Sequence, residues 1–158
     1  MPSKVLKQLY YNLIYSHLNY NICCYASTYD SHLNKLYLLQ KRVIRIIHNA
    51  SFLAHTDPLF FNSGILKVYD IYKLNIGLYM FDHNASPQFI RPHDYLTRGH
   101  NNPLPPFARV TLTQNAISVV GPNTWRSIPE YIRNSPSRNS FKFQYKKFLL
   151  SFYVNPSI

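Results

Sequence analysis

Four cations, Lys35, Lys41, Arg42 and Arg45, lie in one stretch, His32 to His48, whose apolar residues recur at three- and four-residue steps. At about 100° per residue they share an arc of about 120°, separate from the half that carries Leu33, Leu36, Leu39, Val43, Ile44 and Ile47. Guanidinium and ammonium groups aligned this way either form a solvated face or hold phosphate oxygens, which arginine does in a bidentate fork. Further cations follow at Arg98, Arg109, Arg126, Lys142, Lys146 and Lys147. From Tyr95 to the end, eight bases stand against the single acid Glu130, so that part carries +7 of the formal +11. A surface so one-sided calls for a polyanion, and a nucleic-acid backbone releases counterions when it binds one.

Catalytic chemistry is harder to write. The acids, Asp30, Asp57, Asp70, Asp82, Asp94 and Glu130, are scattered and offer no close carboxylate pair for two-metal phosphoryl transfer. With glycine only at Gly64, Gly77, Gly99 and Gly121, neither a phosphate loop nor a dinucleotide turn can be formed. His48 and His55 are seven apart, as are His93 and His100, and neither spacing is that of a zinc helix. Cys23 and Cys24 are adjacent, lack an argued base nearby and read as small apolar residues. The expectation is no catalytic residue, no metal ligand and no cofactor.

The elements that must position the cations follow from periodicity. Lys4 to Tyr20 reads as a first helix, with Leu6, Leu9, Tyr10, Leu13, His17 and Tyr20 on one face. Asp30 and Ser31 supply oxygens to cap the second, His32 to His48. Residues 49–64, broken by Asp57-Pro58 and Asn62-Ser63-Gly64, read as a turn or short helical fragment. Val68 to Asp82 is the third helix, even though Gly77 costs it about 1 kcal/mol against alanine. Five prolines between Ser86 and Pro106 mark a connector over 84–108. Arg109 to Leu112 and Ile117 to Val120 are short and β-branched, predicting a small β-hairpin closed by Gly121-Pro122, with Asn123 capping a short helix that carries Trp125. A last amphipathic helix, capped by Ser140, turns Phe141, Tyr145, Phe148, Leu149 and Phe152 inward. The fold class is thus mainly α (α+β), with a helical domain over 1–83, the connector, and a basic extension over 109–158.

The chain of 158 residues is long enough for one domain or two small ones, and 25 aromatic residues make it too apolar for a disordered basic tail. Lys7, Arg45, Lys73 and Lys146 interrupt its most apolar stretches, which predicts no membrane span. Met1 to Gln8 lacks the apolar core of a secretory signal, and two cysteines give no disulfide framework. An intracellular location, cytoplasmic or nuclear, is expected.

Four segments carry a family resemblance: LYYNLIYSHLNY from Leu9, LYLLQKRVIRII from Leu36, Tyr95-Leu96-Thr97-Arg98, and GPNTWRSIPEYIRNSPSRNSFKFQYKKFLL from Gly121. In order and spacing they resemble the C-terminal end of the reverse transcriptase (RNA-directed DNA polymerase) of jockey-like non-LTR retrotransposons. The family commonly has proline where Ser16 stands and Trp-Gly at Tyr25-Ala26. The resemblance implies that residues 1–83 correspond to a three-helix thumb that grips template and primer, and that the remainder is a C-terminal extension. The family's catalytic aspartates, and the magnesium they hold, belong to a palm upstream of these segments.

The expected function is therefore noncatalytic gripping of RNA or DNA through phosphates, without sequence reading, with the parent polymerase's palm and fingers as a further partner. Two alternatives stand beside it. One is a helical interaction domain for an acidic protein or an anionic membrane surface, suggested by the apolar face between Lys142 and Phe152. The other is a translated relic without a selected role.

Overall fold

The structure is a computed structural model that describes residues 2–27, 30–83 and 107–154. Their regular structure is helical, and no strand occurs among the described residues. They group into two compact units, one of residues 1–72 with 146–158, the other of 73–145. This grouping differs from the division expected at 83 and 108, because the end of the chain joins the first unit. Residues 84–106 of the expected connector lie outside the described residues.

The first unit opens with α1 (Ser3–Leu9), which passes through a π-helical stretch, Tyr10–Tyr15, into α2 (Ser16–Asn19). The first predicted helix is present, yet its inner face is not the expected one. A π-helical stretch rotates the residues that follow it relative to an ideal α-helix. Tyr10 is buried, while Leu9, Leu13 and Tyr20 are exposed. The short α3 (Ile22–Tyr25), absent from the sequence reading, follows a left-handed Asn21.

Helix α4 (Asp30–Ile47) starts two residues earlier than expected, so Asp30 and Ser31 lie in its first turn, and it places Leu33, Ile44 and Ile47 in the core. Gln40 is also buried there, at 2% exposure, and its polar groups are satisfied. Its Nε2 donates to the Tyr10 hydroxyl and the Leu66 carbonyl, both at 2.8 Å, and its Oε1 accepts from the Val68 N–H at 2.9 Å. Helix α5 (Asp57–Ser63) is the expected fragment, with Pro58 in its first turn. It ends at Gly64, where φ is +64° and the Ile65 N–H reaches back to the Phe60 carbonyl at 3.1 Å. Helix α6 (Val68–Asp82) begins in this unit.

In the second unit the predicted hairpin is overturned. Its two arms are α7 (Thr111–Gln114) and the start of α8 (Ile117–Ser127). Strand propensity is a weak, context-dependent bias, and here α8 instead buries Gly121, Pro122 and Trp125. Asn123 sits inside α8 and caps nothing. Trp125 stacks on Phe141 at 5.7 Å between ring centroids, and Phe81 stacks on Phe141 at 4.8 Å. Helix α9 (Glu130–Arg133) buries Ile132.

Helix α10 (Arg138–Ser151) starts earlier than expected, and its capping oxygen is that of Ser137, which accepts from the Ser140 N–H at 3.3 Å. Phe141, Tyr145 and Leu149, at steps of four, are buried as expected. Phe148 is half-buried and Phe152 exposed; once the helix has ended, Tyr153 takes the inward position.

Candidate nucleic-acid interface

The site begins with the way α4 ends. Asn49 adopts φ +48°, which asparagine tolerates better than most residues. Its N–H bonds to the Ile46 carbonyl at 3.1 Å and the Ala50 N–H to the Arg45 carbonyl at 2.9 Å, the paired bonds of a Schellman turn. The chain thereby doubles back along its own last turn. Arg45 Nε donates to the Ala54 carbonyl at 3.1 Å and holds the returning segment, while its guanidinium lies 5.7 Å from the centroid of the Phe52 ring. Arg42, Arg45, Ile46, Asn49, Ala50 and Phe52 line an open pocket of about 510 Å³.

Two full positive charges thus share a pocket with Phe52, which is 72% exposed. The end of a helix carries only about half a negative charge, and the turn already satisfies two of its carbonyls. The arginines therefore set the sign of the pocket. No acid lines it, and Asp57, in the same unit, is ion-paired with Lys67 at 2.8 Å. Such a pocket can hold phosphate oxygens by the guanidinium forks and an unpaired base on the ring.

The predicted site residues separate into distinct settings. Lys35 and Arg42 are exposed on α4. Lys41 is half-buried, with Nζ 4.5 Å from the centroid of Tyr37, whose hydroxyl is pushed up to about 12, first by burial and then by Asp57 and Asp70. In the same unit, Lys147 is exposed and the half-buried Lys146 has Nζ 6.0 Å from the centroid of Tyr11. Arg109, Arg126 and Lys142 are exposed in the second unit, Arg109 lying 5.7 Å from the Phe107 ring centroid. Arg98 lies outside the described residues. Phe52, Asn49 and Ala50 were missed, since an aperiodic segment gives no phase; the adjacent apolar pair Phe52-Leu53 was the available signal.

The first unit also holds a groove of about 540 Å³, formed by Leu13, Ile14, His17 and Leu18 facing Leu36, Leu39, Gln40 and Val43, with Tyr25 beside them. The sequence reading placed Leu36, Leu39 and Val43 on the packing face, whereas here they border open space. The face of α10 suggested for a membrane is buried at Phe141, Tyr145 and Leu149. Among the described residues no three His, Cys, Asp or Glu side chains gather to hold a metal ion, and no helix is long and apolar enough to cross a membrane.

No family model, curated protein or solved structure matches the chain.

Proposed function

We propose that this chain is a noncatalytic nucleic-acid-gripping segment of the kind found at the C-terminal end of a jockey-like reverse transcriptase. In this reading it works beside a palm that carries the catalytic aspartates and magnesium, inside the cell, in cytoplasm or nucleus. The observation that carries it is the pocket at the end of α4, which Arg42 and Arg45 line together with Phe52, Arg45 lying over its exposed ring. The exposed Lys35 lies seven residues before Arg42, on the same line of the helix, and extends the cationic track by about 10 Å. Contacts of this kind position a strand without reading its bases.

Fluorescence anisotropy with labelled RNA and DNA oligonucleotides of unrelated sequence tests the reading. Neutralising about six phosphates gives a slope of log affinity against log salt of about −5 on duplex and about −4 on single strands. A flat response between low and moderate salt would falsify it, as would unchanged binding when Lys35, Arg42 and Arg45 are replaced together.

A further inference from the structure

We propose that the groove between the N-terminal helix and α4 receives an amphipathic helix of a partner protein, one whose apolar ridge is flanked by aspartate or glutamate. The groove and the arginine pocket have different linings, but Lys35 and Arg42 serve both readings, so the leucine substitutions test the groove and Phe52→Ala the pocket.

Leu13 and Leu39 both line the groove and are 61% and 53% exposed, so large aliphatic surface stays in water unless something covers it. The polar lining makes few demands of an occupant. Gln40 already donates twice and accepts once within the unit, and the Tyr25 hydroxyl donates to the Leu18 carbonyl. What enters must therefore be mainly apolar, with the exposed His17 of the lining available to a polar group at its edge. A sugar–phosphate strand fits poorly in a trough so lined, since its oxygens would lose water and gain few donors. Leu13 lies within the π-helical stretch, and such stretches are rare and frequent at functional sites, which adds to the case.

Charge decides the flanks of the occupant. Beside Leu39, the same helix presents Lys35 and Arg42, both exposed and separated by seven residues, a rise of about 10 Å. Acids at i and i+7 of a docked helix share that spacing. Asp30, the acid of α4, lies about 120° or more around the helix from Leu36, Leu39 and Val43. The groove has a cationic rim along α4, and an acidic helix is the ligand that complements both its floor and its edge.

The test uses the full chain and three labelled helical peptides of about 16 residues. One carries leucines at i, i+3, i+4 and i+7 with glutamates on either side, the second has lysines for the glutamates, and the third has serines for the leucines. The first is expected to bind at least about tenfold more tightly than the others. Leu13→Ala with Leu39→Ala lowers that affinity about tenfold, Phe52→Ala leaves it unchanged, and Lys35→Glu with Arg42→Glu turns the preference toward the lysine peptide. These side chains are exposed or rim the groove, and circular dichroism confirms that the variants fold. Equal binding of all three peptides, absence of binding at millimolar concentration, or indifference to the leucine substitutions overturns the proposal. So does capture of anionic vesicles that is lost with Leu13 and Leu39, which would assign the groove to lipid.

Discussion

The hydroxyl of Tyr153 donates a hydrogen bond to the carboxylate of Asp70, 83 positions earlier in the chain. The same oxygen accepts from the Lys67 N–H at 3.0 Å, and Lys67 Nζ lies 4.3 Å from the centroid of the Tyr153 ring while pairing with Asp57 at 2.8 Å. One aromatic residue just beyond α10 thus ties the end of the chain to the start of α6 within the first unit. Tyr153 is 5% exposed and Asp70 9%, so water cannot readily replace these bonds.

Tyr153→Phe keeps the ring and removes the hydroxyl. A buried carboxylate oxygen and a backbone N–H then lose a partner, which costs about 1–3 kcal/mol. Urea denaturation measures it as a lower midpoint with an unchanged slope. If Tyr153→Phe is as stable as the parent chain, the bond contributes nothing.

Alkaline pH should act through the same residues. Burial above all raises the hydroxyls of Tyr10 and Tyr153 well above the usual tyrosine range, and the Asp70 charge pushes Tyr153 further in the same direction. Tyr11, Tyr15, Tyr25 and Tyr72 are also raised, chiefly by burial. When the folded state holds its protons more tightly than the unfolded state, stability is complete below the unfolded value of about 10 and falls as pH rises above it. The melting temperature is therefore expected to decline beyond about pH 10, with tyrosinate absorbance appearing as the chain unfolds. A melting temperature that stays unchanged well above pH 10 would contradict this.

Gly77 and Gly121 pose one question with two expected answers. A Cβ at Gly77 would stand 2.7 Å from Cε1 of Tyr145, a ring 2% exposed and packed in the second unit, and 3.3 Å from Ile128 Cδ1. The ring cannot yield cheaply, so Gly77→Ala should lose about 1–3 kcal/mol to overpacking and so outweigh the gain of about 1 kcal/mol in helix propensity. A Cβ at Gly121 meets Met80 Sδ at 2.8 Å, and a thioether can rotate aside. Thermal melts should show the first substitution to be the more damaging; the reverse order would mean that the aromatic side chain is the mobile one.

How much of this was legible depends on what fixes each feature. Helix α4 was readable because its apolar period persists over many residues, and α6 because Gly77 alone could not outweigh its pattern. The supposed hairpin was not readable: Val110, Thr111, Ile117, Val119 and Val120 favour strands individually, but burial of Gly121, Pro122 and Trp125 decides the segment. The cations of the site were visible as an arc, yet Phe52 was not, since its place beside Arg45 depends on a left-handed turn at Asn49 that no period announces. Periodicity likewise identified Leu36, Leu39 and Val43 as one apolar row without showing whether anything covers it.

Arg42 and Arg45 should separate in their effects although both line the pocket. Arg42 is exposed, and removing it should weaken oligonucleotide binding and lower the salt slope by about one while leaving stability within about 0.5 kcal/mol. Arg45 also bonds the Ala54 carbonyl and sits over Phe52, so Arg45→Ala should loosen residues 49–54 as well as weaken binding. Lysine restores the charge at either position. At Arg42 it should recover most of the affinity, whereas at Arg45 it lacks the planar fork that holds the carbonyl and faces the ring together. Hydrogen exchange across 49–54, measured beside anisotropy titrations, tells these roles apart: faster exchange in Arg45→Lys but not in Arg42→Lys is the expected result, and identical exchange in the two variants would show that the turn holds without the arginine.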